Sequence, residues 1–235
     1  RDPVKGRAVQ NLGGIANVTF LPPLSDETFA PIAFDTGPSN ALIDDVLRLE
    51  TEGRQTYDKD GVLARQGTVD AGWLQMLLAH PYYQRQPPKT TGRELFGSLM
   101  ARELLIEGKE RGLPLVDIVA TLTALTGHSI AGAYRDFAPF PIDEVILGGG
   151  GRHNPALVAM MRELLAPAVV LTQEDIGQNS DYKEALLCAV IGHETWHARP
   201  GAHPSVTGAS HPVVLGQITP GNNYVDLIRR TWCIA

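Results

Sequence analysis

Four short segments of this chain carry residue types that suit the handling of negatively charged oxygen, and a fifth suits a metal. Asp35 ends the apolar run Pro31-Ile-Ala-Phe34 and precedes Thr36-Gly-Pro38. A strand fixes such a carboxylate while the Gly-Pro turn opens space beside it, which is the setting of a proton acceptor and equally of a plain turn residue. Asn11-Leu-Gly-Gly-Ile-Ala-Asn17 places Gly13 and Gly14 at a polar hairpin tip, where backbone N–H groups unshielded by a Cβ can approach a phosphate. An ordinary hairpin turn is the alternative. Gly148, Gly149, Gly150 and Gly151 stand between a strand-like run and Asn154-Pro155, where a helix N-terminus could face a nucleotide. They do not make the dinucleotide fingerprint, because no acid ends a following strand about 20 residues on; a structural turn explains them as well. Pro87-Pro-Lys-Thr-Thr-Gly-Arg-Glu94 collects Lys89, two hydroxyls, Arg93 and Glu94, a set suited to a polar substrate or to a solvated helix start.

The metal pattern is His193-Glu-Thr-Trp-His197, with His203 spaced as a third zinc ligand. Two imidazoles four residues apart share a helix face and Glu194 could activate water. Pro200, however, occupies the position that needs a glycine-only turn, and Met76, Met100, Met160 and Met161 all lie upstream, so no later Met-turn exists. A zinc peptidase stays a remote alternative, and no metal ligands are assigned.

These segments need a layered frame. Residues 7–21 read as a hairpin, residues 31–34 as a third strand, and 41–49 as a helix with Asn40 as its N-cap. Residues 51–92 mix a polar loop at 57–60, a helix over 69–79 and a Pro-rich break at 81–88, and read as a specificity insertion. Helices follow over 93–111 and 116–134, then a buried strand at 143–147, a helix opened by Asn154 and Pro155, a strand at 168–171 and a helix over 181–197. Residues 201–212 have the composition of a linker. Strands alternating with helices predict an α/β fold.

With 235 residues, 43% of them hydrophobic, the chain can bury a core, which excludes disorder as its main state. Twenty basic against 26 acidic residues give a net charge of -6 with no basic block, which argues against a nucleic-acid surface. No apolar run approaches the roughly 20 residues of a membrane span, and no signal-peptide core is visible. A cytoplasmic protein is expected, with Cys188 and Cys233 as free thiols. The chain opens on Arg1 and enters a strand almost at once, as a piece of something longer would.

Taken in order, Gln10-Asn-Leu-Gly-Gly-Ile-Ala-Asn-Val-Thr19, Phe34-Asp-Thr-Gly-Pro38 with Asn40, the 87–94 segment, Gly148-Gly-Gly with Asn154, Glu184-Ala185 and Val206-Thr-Gly-Ala209 resemble the anhydro-N-acetylmuramic acid kinase family. The resemblance implies an actin, hexokinase and Hsp70-like (ribonuclease H-like) lobe with a mixed sheet flanked by helices. It implies ATP and Mg2+ as cofactors, and a reaction that opens the 1,6-anhydro ring with water and phosphorylates the 6-oxygen. By the same resemblance Asp35 is the general base. Gly13, Gly14 and Asn17 belong to a phosphate turn; Gly148, Gly149, Gly150 and Asn154 lie near the nucleoside; Thr36, Asn40, Lys89, Arg93 and Glu184 hold the sugar. The family's Gly-Thr-Ser-x-Asp-Gly loop has no counterpart here, Ser39 replaces a usual Gly, and Thr90 a usual Ser. Residues 1–221 then form the C-terminal lobe of a two-lobed kinase, with 222–235 as a tail, and the piece is expected to be inactive alone. The alternative from another class is a non-catalytic lobe that binds sugar or a protein partner. Homodimerisation is left open.

Overall fold

The computed structural model describes residues 1–232, so Cys233 lies outside the described residues. The chain forms two compact units, Arg1–Asp181 and a second from Tyr182 onward.

The first unit is built on a five-stranded mixed sheet. β1 (Arg7–Leu12) pairs antiparallel with β2 (Ile15–Leu21), and β2 with β3 (Ile32–Pro38). β4 (Glu144–Gly148) lies parallel to β1 and to β5 (Val169–Thr172), giving the order β3-β2-β1-β4-β5. Alternation of side chains turns Ala8, Leu12, Ala16, Val18 and Phe20 to one buried face. The β2–β3 register jumps at Ala16/Asn17: Ala16 pairs with Gly37 but Asn17 with Asp35, so Thr36 is a bulged extra residue.

Six helices of this unit follow β3: α1 (Asn40–Glu50), α2 (Val62–Gln66), α3 (Ala71–Leu78), α4 (Pro81–Gln84), α5 (Ser98–Glu110) and α6 (Leu115–Phe137). α7 (Pro155–Leu164) stands between β4 and β5. The C-terminal half of α6 packs Ile130, Ala133 and Tyr134 against the sheet, where the Phe20 ring meets Tyr134 edge-on at 5.0 Å. Its N-terminal half, with Ile118, Leu122 and Leu125, anchors a second cluster made with Leu42 and Val46 of α1, Trp73 of α3 and Leu104 of α5. By length and composition α6 could cross a membrane, contrary to the expected lack of any such stretch, but 67% of its most apolar window is buried within the protein. It is a core helix.

Several boundaries differ from expectation. α1 starts at Asn40 itself, after Ser39, and no side chain caps it. The helix expected from residue 93 begins at Ser98, because Phe96 N–H turns back to Gly92 O at 3.0 Å and buries its ring. Arg93 and Glu94 therefore belong to the preceding loop. The polar 57–60 loop runs into a short 3-10 turn, Lys59–Gly61, and α2. The Pro-rich break contains α4, with Pro81 in its first turn and His80 Nδ1 accepting from Tyr82 N–H at 3.2 Å.

The second unit contains α8 (Lys183–Trp196), α9 (Pro204–Thr207), which falls inside the expected linker, and α10 (Tyr224–Trp232), which falls inside the expected tail.

Candidate active site

The sheet register brings the sequence motifs into one row. Gly148 of β4 is the partner of Asn11 on β1, Asn11 of Asn17 on β2, and Asn17 of Asp35 on β3. Directly paired residues share a face, so these four side-chain positions run across four neighbouring strands. Beyond the row, both glycine segments meet at the same strand ends. A Cβ on Gly149 would lie 2.7 Å from Asn11 Oδ1 and 2.8 Å from Leu12 O, and one on Gly13 3.2 Å from Asn11 Nδ2. Gly149 also has φ +80°, so only glycine meets both the dihedral and the close approach.

Asp35 is oriented through one oxygen. Its Oδ2 accepts from Thr90 Oγ1 at 2.8 Å and from Thr91 N–H at 2.9 Å, while Oδ1 has no partner among the described residues. Asp35 N–H donates to Lys89 O at 3.1 Å and Asp35 O accepts from the Tyr82 hydroxyl at 2.7 Å. The 89–91 segment thus runs along the outer edge of β3 as a short extra strand would. Arg93 follows it to the hairpin tip, where a Cβ on Gly14 would sit 3.6 Å from the Arg93 guanidinium. The tip carbonyls take the first amides of α1: Asn40 N–H donates to Gly13 O at 3.1 Å, Ser39 and Ala41 N–H to Gly14 O at 3.0 Å. Asn40 Nδ2 donates to Leu12 O at 3.2 Å, so this side chain ties α1 to β1.

Two expected contacts turn away from Asp35. Thr36 is fully buried and its hydroxyl donates to Ala16 O at 3.2 Å, closing the bulge. The Lys89 ammonium projects among the rings of Phe34, Tyr82 and Phe137. Phe34 precedes Asp35 in the strand and faces the helices, so Lys89 lies on the other side of β3 from the carboxylate.

The glycine bend is braced from behind. Gly149 N–H donates to Ser180 Oγ at 3.1 Å and Gly149 O accepts from Arg152 at 2.9 Å. The Arg152 side chain, 5% exposed, also pairs with Glu174 at 3.1 Å and Asp181 at 2.9 Å. The Gly149 amide is therefore committed to the protein, which leaves Gly150 and Gly151 to border open space. Asn154 caps α7 as expected, its Oδ1 accepting from Ala156 and Leu157 N–H at 3.0 and 3.2 Å. Between this bend, α1 and the 56–60 loop lies a cavity of about 560 Å³, bordered by Asn40, Asp44, Tyr57, Gly150, Gly151 and Asn154. Burial raises the Asp44 carboxyl to about 6, with Asp45 adding to the rise and Arg48 and Arg93 opposing it.

Glu184 belongs to the second unit, in the first turn of α8, with Lys183 Nζ 3.5 Å from its carboxylate. In the same helix both oxygens of Glu194 accept from Arg199 at 2.8 Å, and His193 Nδ1 lies 2.9 Å from one of them. His193 and then Arg199 hold that carboxyl below its ordinary range. A carboxylate so engaged is poorly placed to activate water, and among the described residues no group of three His, Cys, Asp or Glu could hold a metal ion.

Sequence reasoning passed over Asn11, Arg152, Asp44 and Tyr82. Asn11 lies in the Gly-Gly hairpin segment, where its strand parity with Asn17 is the available signal; nothing local marks the other three.

The family of anhydro-N-acetylmuramic acid kinase matches residues 1–221. Curated relatives of that name include proteins from Caldanaerobacter subterraneus subsp. tengcongensis, 44% identical over 93% of this chain, and Gloeobacter violaceus, 46% identical over 94%. A third, from Cyanothece sp., is 43% identical over 92%. The chain spans little more than half of these relatives, 56%, 57% and 58% of their lengths respectively. With the match extending over nearly all of its residues, the chain belongs to the anhydro-N-acetylmuramic acid kinase family.

Proposed function

We propose that this chain is the ATP- and sugar-binding lobe of a cytoplasmic kinase that opens 1,6-anhydro-N-acetylmuramic acid and phosphorylates its 6-oxygen, giving N-acetylmuramic acid 6-phosphate for cell-wall recycling. The observation that carries the reading is the row from Gly148 through Asn11 and Asn17 to Asp35, with both glycine turns at its end.

The residues fit a nucleoside triphosphate. A cavity of about 560 Å³ beside Gly150 and Gly151 has the size of a nucleoside site, and the exposed Arg93 beside Gly14 supplies positive charge at the hairpin tip. Asn154 keeps only its Nδ2 for a ligand, since its oxygen caps α7. Mg2+ would accompany ATP, carried mainly by its phosphate oxygens. ATP, when bound, supplies the phosphoryl group that the 6-oxygen receives.

Asp35 performs the proton step. Thr90 and Thr91 fix Oδ2, and the unpartnered Oδ1 takes the proton of a water attacking carbon 1. The bond from carbon 1 to the bridging oxygen breaks as that oxygen becomes the phosphoryl acceptor, so the chain's task is positioning and charge placement. Glu184 and Arg93 are assigned to the sugar by the same reading. Lys89 is not, because its ammonium lies across β3 from Asp35.

The test joins these 235 residues to the part of the Caldanaerobacter relative they do not match, where the reading puts the Gly-Thr-Ser-x-Asp-Gly loop. The fusion should release ADP and sugar phosphate in step, and Asp35→Asn should lower turnover about 10²- to 10⁴-fold with unchanged circular dichroism. Turnover unaffected by Asp35→Asn overturns the assigned role. The second reading, from a different class, is a lobe that binds without turning over. A folded fusion that binds nucleotide and produces no sugar phosphate would support it.

A further inference from the structure

Lys89 is left unused by the kinase reading, and its surroundings are unusual for a lysine. The residue is 5% exposed, a degree of burial that lysine rarely reaches without a paired charge. Its ammonium lies 4.5 Å from the Phe137 ring centre, 5.1 Å from Tyr82 and 5.6 Å from Phe34, and donates to Tyr83 O at 3.2 Å. It makes no ion pair among the described residues, so two of its three donors are unspent. Burial, with Arg85 adding, lowers its pKa, and Asp136 opposes the fall.

Lys89 also lines a cavity of about 390 Å³ between α3, α4 and α6, with Gln75, Tyr83, His128 and Ser129 on its walls. The Tyr83 hydroxyl is buried with no hydrogen-bond partner among the described residues, an unmet demand that a bound acceptor would satisfy. Its ring is held against Gly37, where a Cβ would come within 2.8 Å. Ser129 spends its proton on Thr126 O at 3.1 Å. At the rim Arg135 and Asp136 bind each other through two contacts of 2.8 and 3.0 Å, and Asp136 is the acidic group whose charge reaches Lys89. Among the described residues Lys89, without an ion pair, and Tyr83, with an unpartnered hydroxyl, therefore line one cavity roomy enough for a small oxyanion.

We propose that this cavity binds a small oxyanion, a carboxylate or a phosphate monoanion, ion-paired to Lys89 and hydrogen-bonded by the Tyr83 hydroxyl. The site is separate from the sugar and nucleotide site and does not depend on the kinase reading. It lies next to it in the chain, since Lys89 O takes the Asp35 amide and the following two residues hold the Asp35 carboxylate. An occupant would thus steady the segment that aims the general base.

Thermal unfolding of the 235-residue chain tests this, with sodium acetate and sodium phosphate titrated separately at constant ionic strength against chloride. A native-state ligand raises the midpoint in a saturable way, here by several degrees at saturation for at least one anion, and the effective anion identifies the source. The increment should vanish in Lys89→Met, whose thioether suits the aromatic cage, and fall at least by half in Tyr83→Phe, which deletes one oxygen. No saturable increment with either anion overturns the proposal. So does an increment retained in either variant, since phosphate bound at the glycine turns would persist in both. If Lys89→Met fails to fold, Tyr83→Phe decides alone.

Discussion

Asp35 and Asp44 are carboxylates in contrasting surroundings. Asp35 is aimed by two donors on a single oxygen, an arrangement that restrains the group while leaving the other oxygen exposed to a reactant. Asp44 is instead half-buried on α1, where desolvation lifts its carboxyl to about 6 from an ordinary 3.8. The folded state therefore holds this proton more tightly than the unfolded chain does. Its contribution to stability is full below about pH 4 and is lost as pH rises through about 6. Asp44→Asn should raise the urea midpoint at pH 7 and flatten the rise that the parent chain shows from pH 7 to pH 5; an unchanged pH slope would contradict this. Asp35 was legible in the sequence because a strand end and a Gly-Pro turn mark it locally. Asp44 and Arg152 were not: the fold's burial of Asp44 is what lifts its carboxyl, and Arg152 matters through Glu174 and Asp181 far along the chain.

At the level of elements, local chemistry set some boundaries and tertiary contacts set others. α7 begins where Asn154 and Pro155 say it should, because the cap and the proline act within one turn. Asn154→Ala should cost about 1 kcal/mol in chemical denaturation, with Asn154→Asp recovering most of that loss. α1 shows the opposite case: its orphan amides are taken by the carbonyls of Gly13 and Gly14, so Asn40 is free to reach Leu12 instead of capping. No reading of residues 38–42 alone could foresee a cap supplied from the hairpin 25 or more positions earlier. α5 likewise starts late because the burial of Phe96 draws residues 92–97 into a turn. The strands were the most legible elements, since alternation and the Gly-Gly tip act over a few residues; their pairing into one row was not, because register is a relation between segments.

For the whole molecule, the division after Asp181 has a measurable meaning. The first unit contains the complete sheet, both apolar clusters, Asp35 and both glycine turns, whereas Glu184 belongs to the second. Residues 1–181 expressed alone should unfold cooperatively and keep the far-ultraviolet signature of a mixed fold, and limited proteolysis of the full chain should yield a fragment ending near that boundary. A 1–181 fragment without a cooperative transition would show that the sheet requires the helices that follow. The α/β class was readable from alternating strands and helices, but the division was not, because residues 182–200 continue the same helical pattern without a compositional break.

The bulged Thr36 sets the phase of β3 against β2. A strand reverses its outlook at every step, so removing this single residue would rejoin the β2 and β3 ladders without a skip and carry everything on one side of it through half a rotation. Either the carboxylate would point in among the helices or the Gly37-Pro38 corner would swing away from the hairpin tip. One supernumerary amino acid, anchored by its own hydroxyl on Ala16, thereby keeps acid and turn in phase.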